Sequence, residues 1–354
     1  MSLPPEPSLL EWLSFHLAYY SRPAAAERLL DGFARSLPPH VAPAAPDAQA
    51  ELERVRRGGA HVLLRGCPGW PVNLRGLPRM PVLLFVRGEI RPEDARAVAL
   101  VGSRHPSPHG LRQAERFAAS LAREGITVIS GLARGIDAAA HSGALSAGGR
   151  TLAVLGTGLG VIYPREHRGL AEEISRAGAL VSELPWETPP RQHHFPHRNR
   201  IMSGLSLGVL VVEAGEKSGS LITAGWAADQ GKTVMALPGR VDLPEARGGL
   251  RLIQDGAHLA IDPEEIPPLL GLASTKKTPS RSAYREDAPV GGPKDAGEDL
   301  PLPLRALFAE EDSWHADRII ERLDRPAGDV LAELSRLEAT GKLVRLPGGA
   351  YARR

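Results

Sequence analysis

Cysteine is almost absent from this chain, which has only Cys67 among its 354 residues. A single thiol excludes an intramolecular disulfide and any zinc site built from several cysteines. Long apolar runs are absent as well, since none approaches the roughly 18 residues of a membrane-spanning helix. The first residues carry an acid and lack the basic segment of a secretory signal. We therefore expect a soluble, cytoplasmic protein that does not associate with a membrane.

Two nucleotide-binding motifs are also missing. No GxxxxGK[ST] segment occurs, which excludes a P-loop NTPase. The segment GTGLGV has Gly156, Gly158 and Gly160, but Val161 stands where GxGxxG requires its last glycine. No acidic residue follows the first strand-to-helix turn at the place that would hold a ribose, so NAD binding is disfavoured. We expect neither a cofactor nor a metal.

The chain lacks a strong charge of either sign, because 43 Lys and Arg face 41 Asp and Glu. A nucleic-acid surface must therefore be a local patch. The best candidate is RQHHFPHRNR, Arg191–Arg200, which sets Phe195 among arginines and histidines in a stretch without Asp or Glu from 188 to 212. Arginines bind phosphates and a ring stacks on an unpaired base, so the run indicates single-stranded nucleic acid. A solvated basic loop is the alternative.

The pattern of apolar residues divides the chain into four parts. Residues 1–75 show helical segments (LLEWLSFHLAYY, PAAAERLLDGFARSL and APDAQAELERVRRGG) and predict a small helical module of the SAM or helix-hairpin kind. Residues 76–270 alternate short apolar runs with helical patterns, which predicts a doubly wound, mostly parallel, extended Rossmann-like α/β sheet. Residues 271–298 are rich in Pro, Gly and Ser and predict a flexible linker. Residues 299–354 predict three helices and a two-stranded wing, a winged-helix-like domain. The predicted strands of the sheet are Val98–Val101, Thr127–Ser130, Leu152–Leu155, Leu180–Glu183, Val209–Glu213 and Thr233–Leu237.

Glycine- and serine-rich turns follow most of these strands. The carboxyl ends of parallel strands meet at one edge of a sheet, where backbone N–H groups and helix amino termini can bind an anion. Arg104 follows the first strand in a stretch free of acids, and Arg165 follows the third. Both can bind a phosphate, although tight chain reversal, a salt bridge at the edge, or helix capping by Ser218 would explain individual turns.

Three acids near these turns could support chemistry instead. Asp137 and His141 lie four apart on one helix face, as an acid/base pair or part of a metal site would. We favour an Asp–His hydrogen bond that braces the helix start. Glu183 and Glu213 end strands and could act as general bases, but no nucleophile accompanies them.

The turns, in this order, closely resemble those of the DprA/Smf family (DNA-processing protein A), and the match covers about half of the chain. The matching segments are Val101–Arg104, Ser130–His141, Tyr163–Pro164, Ser182–Glu183, His194–Ser206, Glu213–Ala224 and Leu237–Gly239. Two segments depart from the family pattern: Gln192 stands where members often carry Lys, and Glu245–Ile253 replaces an Asn-rich segment.

The resemblance implies a non-enzymatic protein that binds and protects single-stranded DNA entering during natural transformation and loads the RecA recombinase onto it. It implies a homodimer formed through the α/β domain, with single-stranded DNA-binding protein as a further candidate partner. Arg104 and Arg165 would be DNA-binding cations, Phe195 the stacking ring, and Arg198 and Arg200 further groove residues. The predicted DNA-binding residues are Gly102, Ser103, Arg104, Gly131, Arg165, Arg191, Phe195, Arg198, Asn199, Arg200, Lys217, Ser218, Gly219 and Ser220, and no catalytic residue is predicted.

Two other function classes stay open. A nucleotide-processing hydrolase on a related phosphate-binding scaffold could use Glu213, although a mononucleotide enzyme has no need of the basic–aromatic run. A duplex-DNA-binding regulator could work through the winged-helix-like tail, although the predicted third helix of that tail is nearly balanced in charge.

Overall fold

A computed structural model describes residues 8–20, 46–272, 301–310, 313–323, 325–340, 342–345 and 350–353. The chain forms two compact units, Met1–Thr278 and Pro279–Arg354. The second helical segment predicted near the start, 23–37, lies outside the described residues, as does all of the predicted linker beyond residue 272.

The first unit is built around one large sheet, which has nine strands within residues 46–272. These strands are β1 Ala60–Leu64, β2 Leu83–Gly88, β3 Ala97–Val101, β4 Thr127–Ser130, β5 Thr151–Val154, β6 Ala179–Ser182, β7 Gly208–Val211, β8 Thr233–Ala236 and β9 His258–Leu259. Their order is β1-β2-β6-β5-β4-β3-β7-β8-β9. Only the β1–β2 and β2–β6 pairs are antiparallel, so the predicted doubly wound, mostly parallel sheet is confirmed.

Helices cover both faces of this sheet. Ala99 and Val101 of β3 belong to an apolar core that also contains Ile201. Their neighbour Leu100 points the other way, into a core with Phe117. This alternation is the reason that each strand is a continuous apolar run. The helices of this unit are α1 Leu9–Tyr19, α2 Pro46–Arg57, α3 Pro108–Arg123, α4 Ile136–Ser146, α5 Arg168–Ala177, α6 His194–Leu205, α7 Ser220–Asp229, α8 Arg247–Gln254 and α9 Ile266–Leu269.

The six predicted strands all form, with ends that differ from the prediction by no more than two residues. Strand β1 was not predicted: it lies inside the expected helical module 1–75 and pairs with β2 along its whole length. Its sequence, AHVLL, is a short apolar run, and periodicity alone cannot distinguish such a strand from the end of a helix. Helix α1 of the same module buries Leu13 in a core that it shares with Phe85 of β2.

The second unit is a winged helix, as predicted. Its elements are α10 Leu302–Glu310, β10 Ser313–His315, α11 Ala316–Leu323, α12 Ala327–Ala339, β11 Leu343–Arg345 and β12 Ala350–Arg353. Strand β10 was not predicted; it pairs with β12 to form a small antiparallel sheet. Helix α12 begins directly after Pro326, which has the fixed φ suited to a helix start. Residues 346–349, the predicted turn of the wing, lie outside the described residues.

Across the described parts of both units, every helix is too short or too polar to cross a membrane.

Candidate nucleic-acid interface

A cavity of about 800 Å³, hereafter the groove, opens at the carboxyl ends of β3 and β7. The strand order reverses there: β4 lies on one side of β3 and β7 on the other. Such a reversal leaves a crevice in which open α/β sheets bind their ligands. The groove is lined by the turns after β3 and β7 and by one face of α6. Most of the predicted site residues line it, namely Gly102, Ser103, Arg104, Arg191, Phe195, Arg198, Asn199, Lys217, Ser218, Gly219 and Ser220.

The ring of Phe195 is the centre of a small aromatic cluster, which we define as Arg104, Tyr163 and Phe195. The guanidinium carbon of Arg104 lies 5.3 Å from the centroid of the Phe195 ring. The Tyr163 ring lies 5.8 Å away, tilted by 49°. Tyr163 was not among the predicted site residues, although its place directly after the third glycine-rich turn could have identified it. The cluster combines a cation and two rings at the mouth of the groove, as an unpaired nucleotide requires.

Gly156 makes the position of Phe195 possible. A Cβ atom on Gly156 would lie 2.7 Å from Cδ1 of the Phe195 ring, far inside van der Waals contact. Gly156, the first glycine of the GTGLGV segment, therefore leaves room for the Phe195 ring. The segment itself lacks the dinucleotide-binding spacing.

Arg198 lines the groove but lies mostly beneath its surface, with 6% of the residue exposed. One of its nitrogens, Nη1, donates to the backbone oxygen of Val154. Burial lowers the pKa of Arg198 to about 10, against the effect of nearby Asp137, so the side chain stays charged at neutral pH. A Cβ atom on Gly131 would collide with this guanidinium. Gly131 does not line the groove, and its lack of a side chain gives Arg198 its space.

Arg200 does not reach the groove, and the structure corrects its predicted role. Only 1% of the residue is exposed. Its Nη2 atom lies 2.6 Å from both carboxylate oxygens of Glu183. The reason is helical geometry: Phe195, Arg198 and Asn199 share one face of α6, whereas Arg200 projects from another. Arg200 therefore lies outside the groove lining and holds Glu183 instead.

The remaining predicted cations are exposed. Arg191 and Lys217 lie on the rim of the groove. Arg165 starts a short 3₁₀ turn, Arg165–His167, two residues after Tyr163 and outside the groove lining. Ser218 and Ser220 share a 2.7 Å hydrogen bond between their hydroxyl oxygens. The rim therefore presents positive charge and small polar groups beside the aromatic cluster.

The predicted Asp137–His141 hydrogen bond does not form. The Asp137 carboxylate accepts the backbone N–H groups of Gly131 and Ala133, and burial raises its pKa above the ordinary value despite nearby Arg198. His141 Nδ1 lies 2.7 Å from the hydroxyl of Thr151. Asp137 thus braces the turn after β4, and His141 connects α4 to β5.

The two candidate general bases are also occupied. Glu213 accepts the N–H of Ser107 at 2.8 Å and the hydroxyl of the same residue, which ties the end of β7 to the start of α3. Glu183 is held by Arg200. In the described parts of the chain, no three His, Cys, Asp or Glu side chains come together in a way that could hold a metal ion.

Both units of the chain match known protein families. The family model for DNA recombination-mediator protein A matches residues 61–270, more than half of the chain. The model for the DprA winged helix domain matches residues 292–349. Protein Smf of Escherichia coli is 42% identical over 294 residues, which cover 82% of this chain and 76% of that protein.

Two solved structures show the same likeness. DNA processing protein A of Streptococcus pneumoniae superposes with a TM-score of 0.58 at 37% identity, covering 62% of this chain and 76% of that one. DNA processing protein A of Helicobacter pylori, whose structure concerns a unique single-stranded DNA binding mode, gives a TM-score of 0.52 at 28% identity and covers 58% and 93% of the two chains. The chain therefore belongs to the DNA recombination-mediator protein A family, also known as DprA/Smf.

Proposed function

We propose that this protein binds single-stranded DNA in the groove and acts in natural transformation and recombination as a DNA-binding mediator, without catalysing a reaction on the DNA. The observation that carries the proposal is the aromatic cluster, where the Arg104 guanidinium lies 5.3 Å from the Phe195 ring at the mouth of the groove. A cation beside an accessible ring binds a phosphate and stacks a base of the same nucleotide chain.

The phosphate and the base of a nucleotide each have a counterpart at the rim. Arg104, Arg191 and Lys217 supply charge for phosphates, and Arg165 extends it past the cluster. Backbone N–H groups of the glycine-rich turns add contacts that do not depend on base identity. Bases in a duplex are already stacked and paired, so the Phe195 ring favours single strands. Affinity should fall as salt rises, and sequence preference should be weak.

The two carboxylates considered as general bases for the alternative, a nucleotide-processing hydrolase, are both held by protein groups. Glu213 is bonded to Ser107 and Glu183 to Arg200. Incubation with AMP and other mononucleotides tests this directly, and we expect neither consumption nor a rise in melting temperature.

Three further proposals rest on family likeness: loading of RecA, contact with single-stranded DNA-binding protein, and homodimerisation through the first unit. The cytoplasmic location and the boundaries at residues 75, 270 and 298 also stay predictions. Light scattering gives the oligomeric state. RecA ATPase activity on DNA covered with single-stranded DNA-binding protein tests the loading and contact proposals together.

The groove itself is tested by fluorescence anisotropy with labelled oligo-dT and a matching duplex across a salt series. The informative variant is Arg104→Ala, and its control is Arg123→Ala. Arg123 is also an exposed arginine, so both variants lose one positive charge from the surface. It ends α3 at the opposite edge of the sheet, away from the groove. Arg104→Ala should lose most single-strand binding while Arg123→Ala keeps it. Equal loss in both variants would mean that only net charge matters, and the groove would not be the site.

A further inference from the structure

Helix α1 is connected to helix α6 by two buried polar contacts, which we call the His16 connection: His16, Glu183 and Arg200. The Nε2 atom of His16 lies 2.7 Å from the backbone oxygen of Glu183. A carbonyl oxygen only accepts hydrogen bonds, so Nε2 carries the proton and donates. The Glu183 carboxylate in turn accepts Arg200 of α6. Of the residue surface, 2% of His16 and 1% of Arg200 is exposed.

Helix α6 lies between this connection and the groove. Phe195, Asn199 and Met202 line the groove. His193, His197 and Ile201 face a separate cavity of about 80 Å³, whose walls also include Tyr20, the residue directly after α1, and Glu183. With about 3.6 residues in each turn, a rotation of α6 about its axis moves both sets together. Whatever fixes the Arg200 face therefore also fixes the Phe195 face.

A second contact holds the segment that leads into α6. Glu51 of α2 is 2% exposed, and its Oε1 atom accepts the backbone N–H of Trp186 at 2.5 Å. Glu183 and Trp186 both lie between β6 and α6. The N-terminal module thus holds this segment at two places, one from α1 and one from α2.

We infer that α1 is a positioning element of the DNA groove, with His16 as its positioning residue: the His16 connection fixes the rotation of α6 and with it the location of the Phe195 ring. His16 touches no ligand and acts only through Glu183 and Arg200. The effect on DNA affinity rests on the proposed function. The effect on ring position does not, because it exists in the free protein.

The test compares three substitutions in the full-length protein. His16→Leu fills the space but removes the donor, and His16→Gln keeps a side-chain N–H at similar reach. His16→Asn is one methylene shorter than His16→Gln and cannot span the contact. Replacing Phe195 by 4-fluorophenylalanine gives a ¹⁹F signal that reports the surroundings of the ring without DNA. Oligo-dT affinity is measured in parallel on the unlabelled variants.

We expect His16→Leu and His16→Asn to shift the ¹⁹F signal and to weaken oligo-dT binding about tenfold, comparable with losing one stacked base. His16→Gln should restore both. If His16→Leu does not fold, the comparison of His16→Asn with His16→Gln decides alone.

The control is Glu11→Ala at the start of α1. The Glu11 carboxylate accepts the N–H of Ser8 at 2.6 Å and caps the helix, five residues before His16. Glu11→Ala should lower the melting temperature but leave the ¹⁹F signal in place. An unshifted signal in His16→Leu, or an equal shift in Glu11→Ala, would overturn the inference even if the wild type binds DNA. A wild type that binds no single strand would instead refute the proposed function and leave the ¹⁹F comparison standing.

Discussion

Two parts of the groove wall carry arginines, and the fold uses them in opposite ways. In the turn after β3, Arg104 is exposed and flanks the Phe195 ring. In α6, Arg198 and Arg200 are 6% and 1% exposed and bond to protein groups. A turn at a sheet edge sends its side chain outward, whereas in a helix the angular position decides. Exposed arginines can contact a ligand, and buried ones hold the helix that carries the contact.

The largest expected effect comes from the buried side of this comparison, in Arg200→Met. Glu183 would keep a buried carboxylate without its cation, and breaking such a pair costs about 3–5 kcal/mol. The free energy of unfolding in urea, followed by circular dichroism, measures this loss. The control, Arg104→Met, removes an exposed arginine and should change stability by less than about 0.5 kcal/mol. Similar unfolding midpoints for both variants would contradict the proposed difference between the buried and the exposed arginines.

His141 extends the comparison to a buried base that carries no charge. Burial lowers its pKa from 6.5 to about 3. The unfolded chain therefore binds a proton at His141 that the folded chain does not bind. The free energy of unfolding falls as the pH drops below 6.5. The loss is about 1.4 kcal/mol per pH unit until the folded pKa is reached.

We expect His141→Gln to lose about 2 kcal/mol less than the wild type between pH 7 and pH 5, measured as free energies of unfolding. The exposed His109 is the matched control, and His109→Gln should keep the wild-type dependence. The same dependence in His141→Gln would show that other groups cause the acid sensitivity.

On the exposed side, Phe195→Ala should weaken oligo-dT binding by about 1–3 kcal/mol, the value of one stacked base. Anisotropy titrations give the change, and melting temperatures show whether the fold is kept. Phe195→Leu is the sharper variant, because it keeps an apolar side chain but has no ring. Wild-type affinity in Phe195→Leu would mean that apolar contact suffices and that stacking is not used.

The smallest effect is expected for Lys217→Gln. Losing one phosphate contact should lower affinity a few-fold and reduce the slope of log K against log salt by about 0.7, the value for single strands. Lys232 precedes β8 and lies at the opposite edge of the sheet. Lys232→Gln removes the same charge and should leave the slope unchanged.

The sheet could be predicted because buried parallel strands are continuous apolar runs between glycine-rich turns. The groove followed from the rule that such turns meet at one edge. Helix α6 was harder: Arg198, Asn199 and Arg200 are buried although their types are usually exposed. Their partners come from distant segments, as with Glu183 and Arg200. The contact between His16 and Glu183 spans 167 residues, and no local pattern in either segment indicates it.

Gly156 affects the shape of the groove without affecting its charge. The Phe195 ring lies against a position without a side chain, and a methyl group added there would push the ring away. Such a change leaves every charged side chain in place. Gly156→Ala thus alters the position of the ring, whereas Lys217→Gln removes a charge from the rim. Natural variation or deliberate redesign could therefore adjust base stacking and phosphate attraction along independent axes.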